Sequence, residues 1–176
     1  MRTKRFSKCV SALISTAALI ALCFLLSNKP AVAQPPAPGP NLYQDVMSHK
    51  GDIAWRDAPA TNYPDDACNL INACPASGAP KVFILPTTVI GGHRTARAVY
   101  LVRTSDPKQP DAVVFEHQTA SDTYFFCVAP DGSVSSVAYL SSGSNWLPIP
   151  PENGLASSTF QKDAPDWHAA LTKGGK

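Results

Sequence analysis

The chain has 176 residues, with 15 Lys and Arg against 13 Asp and Glu and a formal net charge of +2. The surplus sits at the start: Arg2, Lys4, Arg5, Lys8 and Lys29 precede the first acid, Asp45, so residues 34–176 hold ten basic against thirteen acidic groups, a net of −3. A mildly acidic body of that kind lacks the basic footprint of a nucleic-acid binder, and its length suits one domain around one core.

Residues 1–33 read as a signal peptide. A basic start is followed by an apolar run from Ala12 to Leu26, and Ala31-Val32-Ala33 offers small residues where a signal peptidase needs them. The run is shorter than the roughly 18 to 20 apolar residues of a spanning helix. Cys23 is preceded by Leu22 rather than a small residue, which argues against lipidation. The expectation is export, periplasmic or secreted, with no membrane attachment after cleavage.

Residues 34–40, QPPAPGP, form a stiff proline-rich leader, and residues 41–176 form a single globular domain. Asn41 is placed to cap a short helix over LYQDVMSHK, with Gly51 as its stop. From Asp52 to Pro80 the periodicity is weak, and the segment reads as an irregular connection held by cysteine chemistry. KVFILPTTVI and HRTARAVYLVRT then flank Gly91-Gly92 as a hairpin, with Pro86 marking an edge or an interruption.

Ala112 to Gln118 supplies a further strand. Thr123–Ala129 and Ser133–Leu140, joined by Pro130-Asp131-Gly132, give the clearest hairpin in the chain. A tight turn there predicts Phe126 opposite Ser136, Phe125 opposite Val137 and Cys127 opposite Ser135. On that register Tyr124, Phe126 and Val128 share one face, and Phe125, Val137 and Tyr139 share the other. Both faces are apolar, so each should be covered.

Trp146 to Ile149 offers a short sixth strand, and Asp163-Ala164-Pro165-Asp166 reads as the start of a closing helix that packs Trp167, Ala170 and Leu171 on the sheet. The fold class is α+β: an antiparallel meander of about five strands, a short N-terminal helix, and a C-terminal helix packed on the sheet.

The chemistry-bearing residues are few. Of the three cysteines beyond residue 33, Cys68 and Cys74 are the expected disulfide, closing a short loop, with Cys127 joined to either as the rival pairing. An unpaired Cys127 is a candidate nucleophile with His117 as base and Glu116 beside it; as a cysteine within an aromatic strand it equally suits a core role. His93, Arg94 and Arg97 form an acid-free basic stretch after two glycines, a candidate anion site, although Arg97 also suits a solvated strand position or a pair with the acidic 45–66 region.

Trp146, after SSGSN, either stacks on a sugar or a partner surface or folds back over the sheet. The four histidines show no metal-binding spacing, and no motif implies a cofactor. The leading expectation is a non-enzymatic binding or accessory protein, inhibitor-like or immunity-like. Its partner would be a protein or a small anionic or sugar ligand of the cell envelope, not nucleic acid. The alternatives are a thiol hydrolase using Cys127 and His117, and an envelope component assembling through the Pro86 edge.

Overall fold

The computed structural model describes residues 39–60, 63–73, 79–90, 93–103, 108 and 110–173. Helix α1 (Leu42–His49) leads into strand β1 (Arg56–Asp57) and helix α2 (Asp65–Leu70). Strands β2 (Lys81–Ile90), β3 (His93–Val102), β4 (Ala112–Gln118), β5 (Asp122–Val128), β6 (Val134–Ser141) and β7 (Leu147–Ile149) follow, and helix α3 (Gly154–Lys173) closes the chain. The seven strands lie in sequence order in one sheet, each antiparallel to the last. An antiparallel meander with a helix at each end is therefore the architecture, wider than five strands by β7, at the place expected for a short sixth, and by β1. The strand that the sequence does not mark is β1, whose two residues are too brief for alternation.

Alternation sorts the long strands onto two faces. Val99 and Leu101 of β3, Val113 and Phe115 of β4, Tyr124 and Phe126 of β5 and Val137 of β6 point to one side. There Leu42 and Val46 of α1 and Ala156, Trp167 and Leu171 of α3 cover them. Trp167 is fully buried, its ring 4.8 Å from that of Phe115. Ala98, Tyr100, Val114, Phe125 and Ala138 point to the other side, beneath Tyr63 and Ala67, Cys68 and Ile71 around α2. The sheet is the middle of three layers, although the helix covering this second face has only six residues.

Asn41 caps α1, its Oδ1 accepting from Gln44 N at 3.1 Å. The same side chain donates to the carbonyl of Pro130 at 3.3 Å, which seats the helix start on the β5–β6 turn. That turn differs in register from the expected one. Phe126 pairs with Val137, Phe125 with Ala138 and Cys127 with Ser136, whereas Val128 pairs with Val134. Ser135 is thus an extra residue on β6, a bulge, and its hydroxyl donates to the carbonyl of Cys127 at 3.1 Å. The slip by one carries Val137 and Tyr139 to the face of Tyr124 and Phe126, opposite to Phe125.

Three other elements depart from the sequence reading. The segment between Asp52 and Pro80 contains α2, whose stop is a Schellman motif. Asn72 takes φ 52°, its N–H bonds the carbonyl of Asn69, and Ala73 N bonds that of Cys68 at 3.0 Å. Helix α3 starts at Gly154, nine residues before Asp163, with Asn153 Oδ1 accepting from Leu155 N at 3.1 Å. Pro165 is inside it on the exposed side, where water can satisfy the carbonyl one turn earlier. In β2, Leu85 pairs with Arg97 but Thr88 with Thr95, so the Pro86 region carries an extra residue beyond the two-residue reach of β1.

Candidate functional site

The face packed by α2 also lines a cavity of about 220 Å³. Ala98 and Tyr100 of β3, Glu116 and Gln118 of β4, Thr123 and Phe125 of β5 put consecutive same-face positions into it, and Trp146 forms a wall. The registers Ala98↔Glu116 and Glu116↔Phe125 place the carboxyl on the middle strand of three. Trp146 stacks on Phe125 with 5.0 Å between centroids and 12° between planes, and Tyr63 stacks on Phe125 at 5.3 Å. Ile84, 51% exposed, forms an apolar lip.

Glu116 is the chemical centre of this cavity. It is 9% exposed, and Tyr100 Oη donates to its Oε2 at 2.5 Å. Tyr100 is its one hydrogen-bond partner among the described residues, which leaves Oε1 unengaged in the cavity. Burial pushes the carboxyl from 4.5 up to about 7, against the opposing pull of the Tyr100 hydrogen bond. Burial first, then the neighbouring carboxylate, pushes the Tyr100 phenol well above its ordinary range. The cavity therefore holds an acid that is about half ionised at neutral pH, set among aromatic rings.

The opposite face holds a second polar cluster, organised around a buried ion pair, in which Arg97 Nε makes no hydrogen bond to the described residues. Arg97 points there from β3, and His117 from β4, both toward α3. Asp163 of α3 is wholly buried; its Oδ1 lies 3.0 Å from Arg97 Nη2 and its Oδ2 2.6 Å from His117 Nδ1. Asp166, one turn on, pairs with Arg97 Nη1. A buried guanidinium matched by two carboxylates, one of which also bonds the His117 imidazole, fixes helix to sheet. His168 of α3 adds a contact to Asp45 of α1 at 2.7 Å.

The residues singled out in the sequence divide between these places. Cys127 and His117 stand on neighbouring strands, but Cys127 pairs with Val114 and His117 with Tyr124. Those positions are three apart and on opposite faces, so the thiol and the imidazole do not meet. Cys127 is a free thiol rather than the partner of Cys68 or Cys74, and burial raises its pKa. The expected Cys68–Cys74 bond involves Cys74, which lies outside the described residues, as do residues 1–38. Arg97 is neither solvated nor paired with the 45–66 region, its charge being taken by Asp163 and Asp166. The side chains of His93 and Arg94 lie outside the described residues.

Trp146 covers the sheet and lines the cavity at once. The sequence reading passed over Glu116 and Tyr100 as a pair. The one available signal is alternation in AVVFEHQ, which puts Glu116 on the face of Val114, an acid on an otherwise apolar face. Comparison with protein-family models, with curated proteins and with solved structures finds no match, and the reading of the site rests on its own geometry.

Proposed function

We propose that the protein is an exported, non-enzymatic binding module, and that its ligand site is the cavity around Glu116 and Trp146. The export half of this reading rests on the sequence of residues 1–33. The observation that carries the binding half is a concave cavity lined by Tyr100, Phe125 and Trp146, with one buried carboxyl and with Gln118 and Thr123 in its lining. Small-ligand sites have this make-up: an apolar lining for affinity and a few polar groups for orientation. Acid–base hydrolysis of a sugar calls for a second carboxyl group; Glu116 is the one carboxyl among the described residues that line the cavity. The anion-binding idea loses its main support because Arg97 is already paired. A carboxylate in the cavity also repels an anion.

The test is a thermal-shift panel of small sugars, alcohols, carboxylates and amines on the protein from residue 34 onward. At least one class should raise the melting temperature. The gain should vanish in Trp146→Ala, and in Thr123→Trp, which adds bulk to the lining, with far-ultraviolet dichroism retained in both. A panel that leaves the native melting temperature unmoved, or a gain undiminished in Thr123→Trp, contradicts the proposal.

A further inference from the structure

We propose that the ligand of this cavity is a small organic ammonium cation, held with its charge against Glu116 and its hydrocarbon part against Trp146 and Phe125. The inference rests on the binding-site reading above and narrows it to a chemical class. Three features of the cavity point the same way. Glu116 brings an unengaged carboxyl oxygen into a space walled mainly by aromatic and aliphatic groups, with Gln118 and Thr123 as neutral polar neighbours. A carboxylate so placed is stabilised most by a cation that replaces the water it has lost. The aromatic residues that line it, Tyr100, Phe125 and Trp146, suit the methyl or methylene groups of an organic cation.

The charges around Glu116 leave the position for a cation open. From β3 it meets Tyr100, whose phenol is a donor and not a charge. From β5 the same face carries Phe125 and, further along, the Cys127 thiol. The segment around α2 contributes Tyr63, over Tyr100 and Phe125, and the exposed Asp65 and Asp66 next to Pro64 at the cavity wall. Arg97 is the nearest described cation in sequence register, but its guanidinium is on the other side of the sheet between Asp163 and Asp166. Among the described residues that line the cavity, Glu116 is the one acid and Arg97, already paired with Asp163 and Asp166, the one base. A ligand that supplies the missing positive charge, and about the bulk of a benzylamine or choline molecule, matches the space of about 220 Å³.

Benzylammonium and benzyl alcohol, nearly the same in shape and different in charge, separate the classes. In calorimetric titrations at pH 6, 7 and 8, benzylammonium should bind at least tenfold more tightly than the alcohol. Its affinity should rise about tenfold from pH 6 to pH 8, because ionisation of a carboxyl with a midpoint near neutrality is linked to binding. Glu116→Gln should remove both the preference and the pH dependence. Equal, pH-independent binding of the two probes overturns the cation inference while leaving the cavity a binding site. Absence of binding by either probe, in a protein whose melting temperature responds to sugars or carboxylates, overturns it as well. Absence of any response from the whole panel overturns the site itself.

Discussion

Glu116 is the residue on which the electrostatics turn, and its sign can be worked out. Its folded-state midpoint, about 7, lies above the ordinary value of 4.5. Below the ordinary value the carboxyl is protonated whether the chain is folded or not, and burial carries no charge penalty. Between pH 4.5 and 7 the unfolded chain releases the proton first, so the folded state loses stability as pH rises. Above that window the full cost, about 3 kcal/mol, is in place. Glu116→Gln keeps an acceptor for Tyr100 and removes the charge. Urea unfolding should find the variant more stable than the native protein at pH 8, by roughly 1 to 3 kcal/mol, and equal to it at pH 4. A native protein with no loss of stability between pH 4.5 and 7 contradicts the assignment. Arg97 shows the opposite use of burial, since its charge is matched on both sides by carboxylates of one helix turn and works as a clamp.

At the scale of elements, the hairpins were legible and their fine register was not. Aromatic and β-branched residues on either side of Pro130-Asp131-Gly132 identify β5 and β6. The bulge at Ser135 leaves no trace in the pattern, because a serine is at home on either face; one residue there sends Val137 and Tyr139 to the α3 side. The turn itself depends on Gly132, which has φ +86° and whose added Cβ would lie 2.9 Å from Asn41 Cγ. Gly132→Ala meets both a left-handed backbone and the cap of α1, and should cost roughly 1 to 3 kcal/mol in urea unfolding. A change of less than about 0.5 kcal/mol, the scatter of surface substitutions, would show that the turn and the cap are not coupled. The start of α3 was hidden for a different reason. GLASSTFQ has few apolar residues to mark a stripe, and Pro165 imitates a helix beginning although it sits on an exposed side that tolerates it.

For the whole molecule, the layer count followed from the hairpin alone: strands apolar on both faces require cover on both, and α1 with α3 on one side and α2 on the other provide it. The site did not follow, because it is set by how the covering element packs on the face. The six residues of α2, ended at Asn72, pack on the cluster of Ala98, Tyr100, Val114 and Phe125, while Glu116 and Gln118 of the same face line the cavity beside it. Such a cavity arises from the meeting of segments some 50 residues apart, beyond the reach of local pattern. The same cavity makes Glu116 both buried and accessible. The most direct test is a pH titration of the Glu116 side-chain carboxyl by carbon-13 NMR, with and without benzylammonium. The account predicts a midpoint near 7 in the free protein and a lower one when the cation is bound. A free-protein midpoint at the ordinary value of 4.5, unmoved by benzylammonium, would mean that the carboxyl is open to water and that the cavity is not built around it.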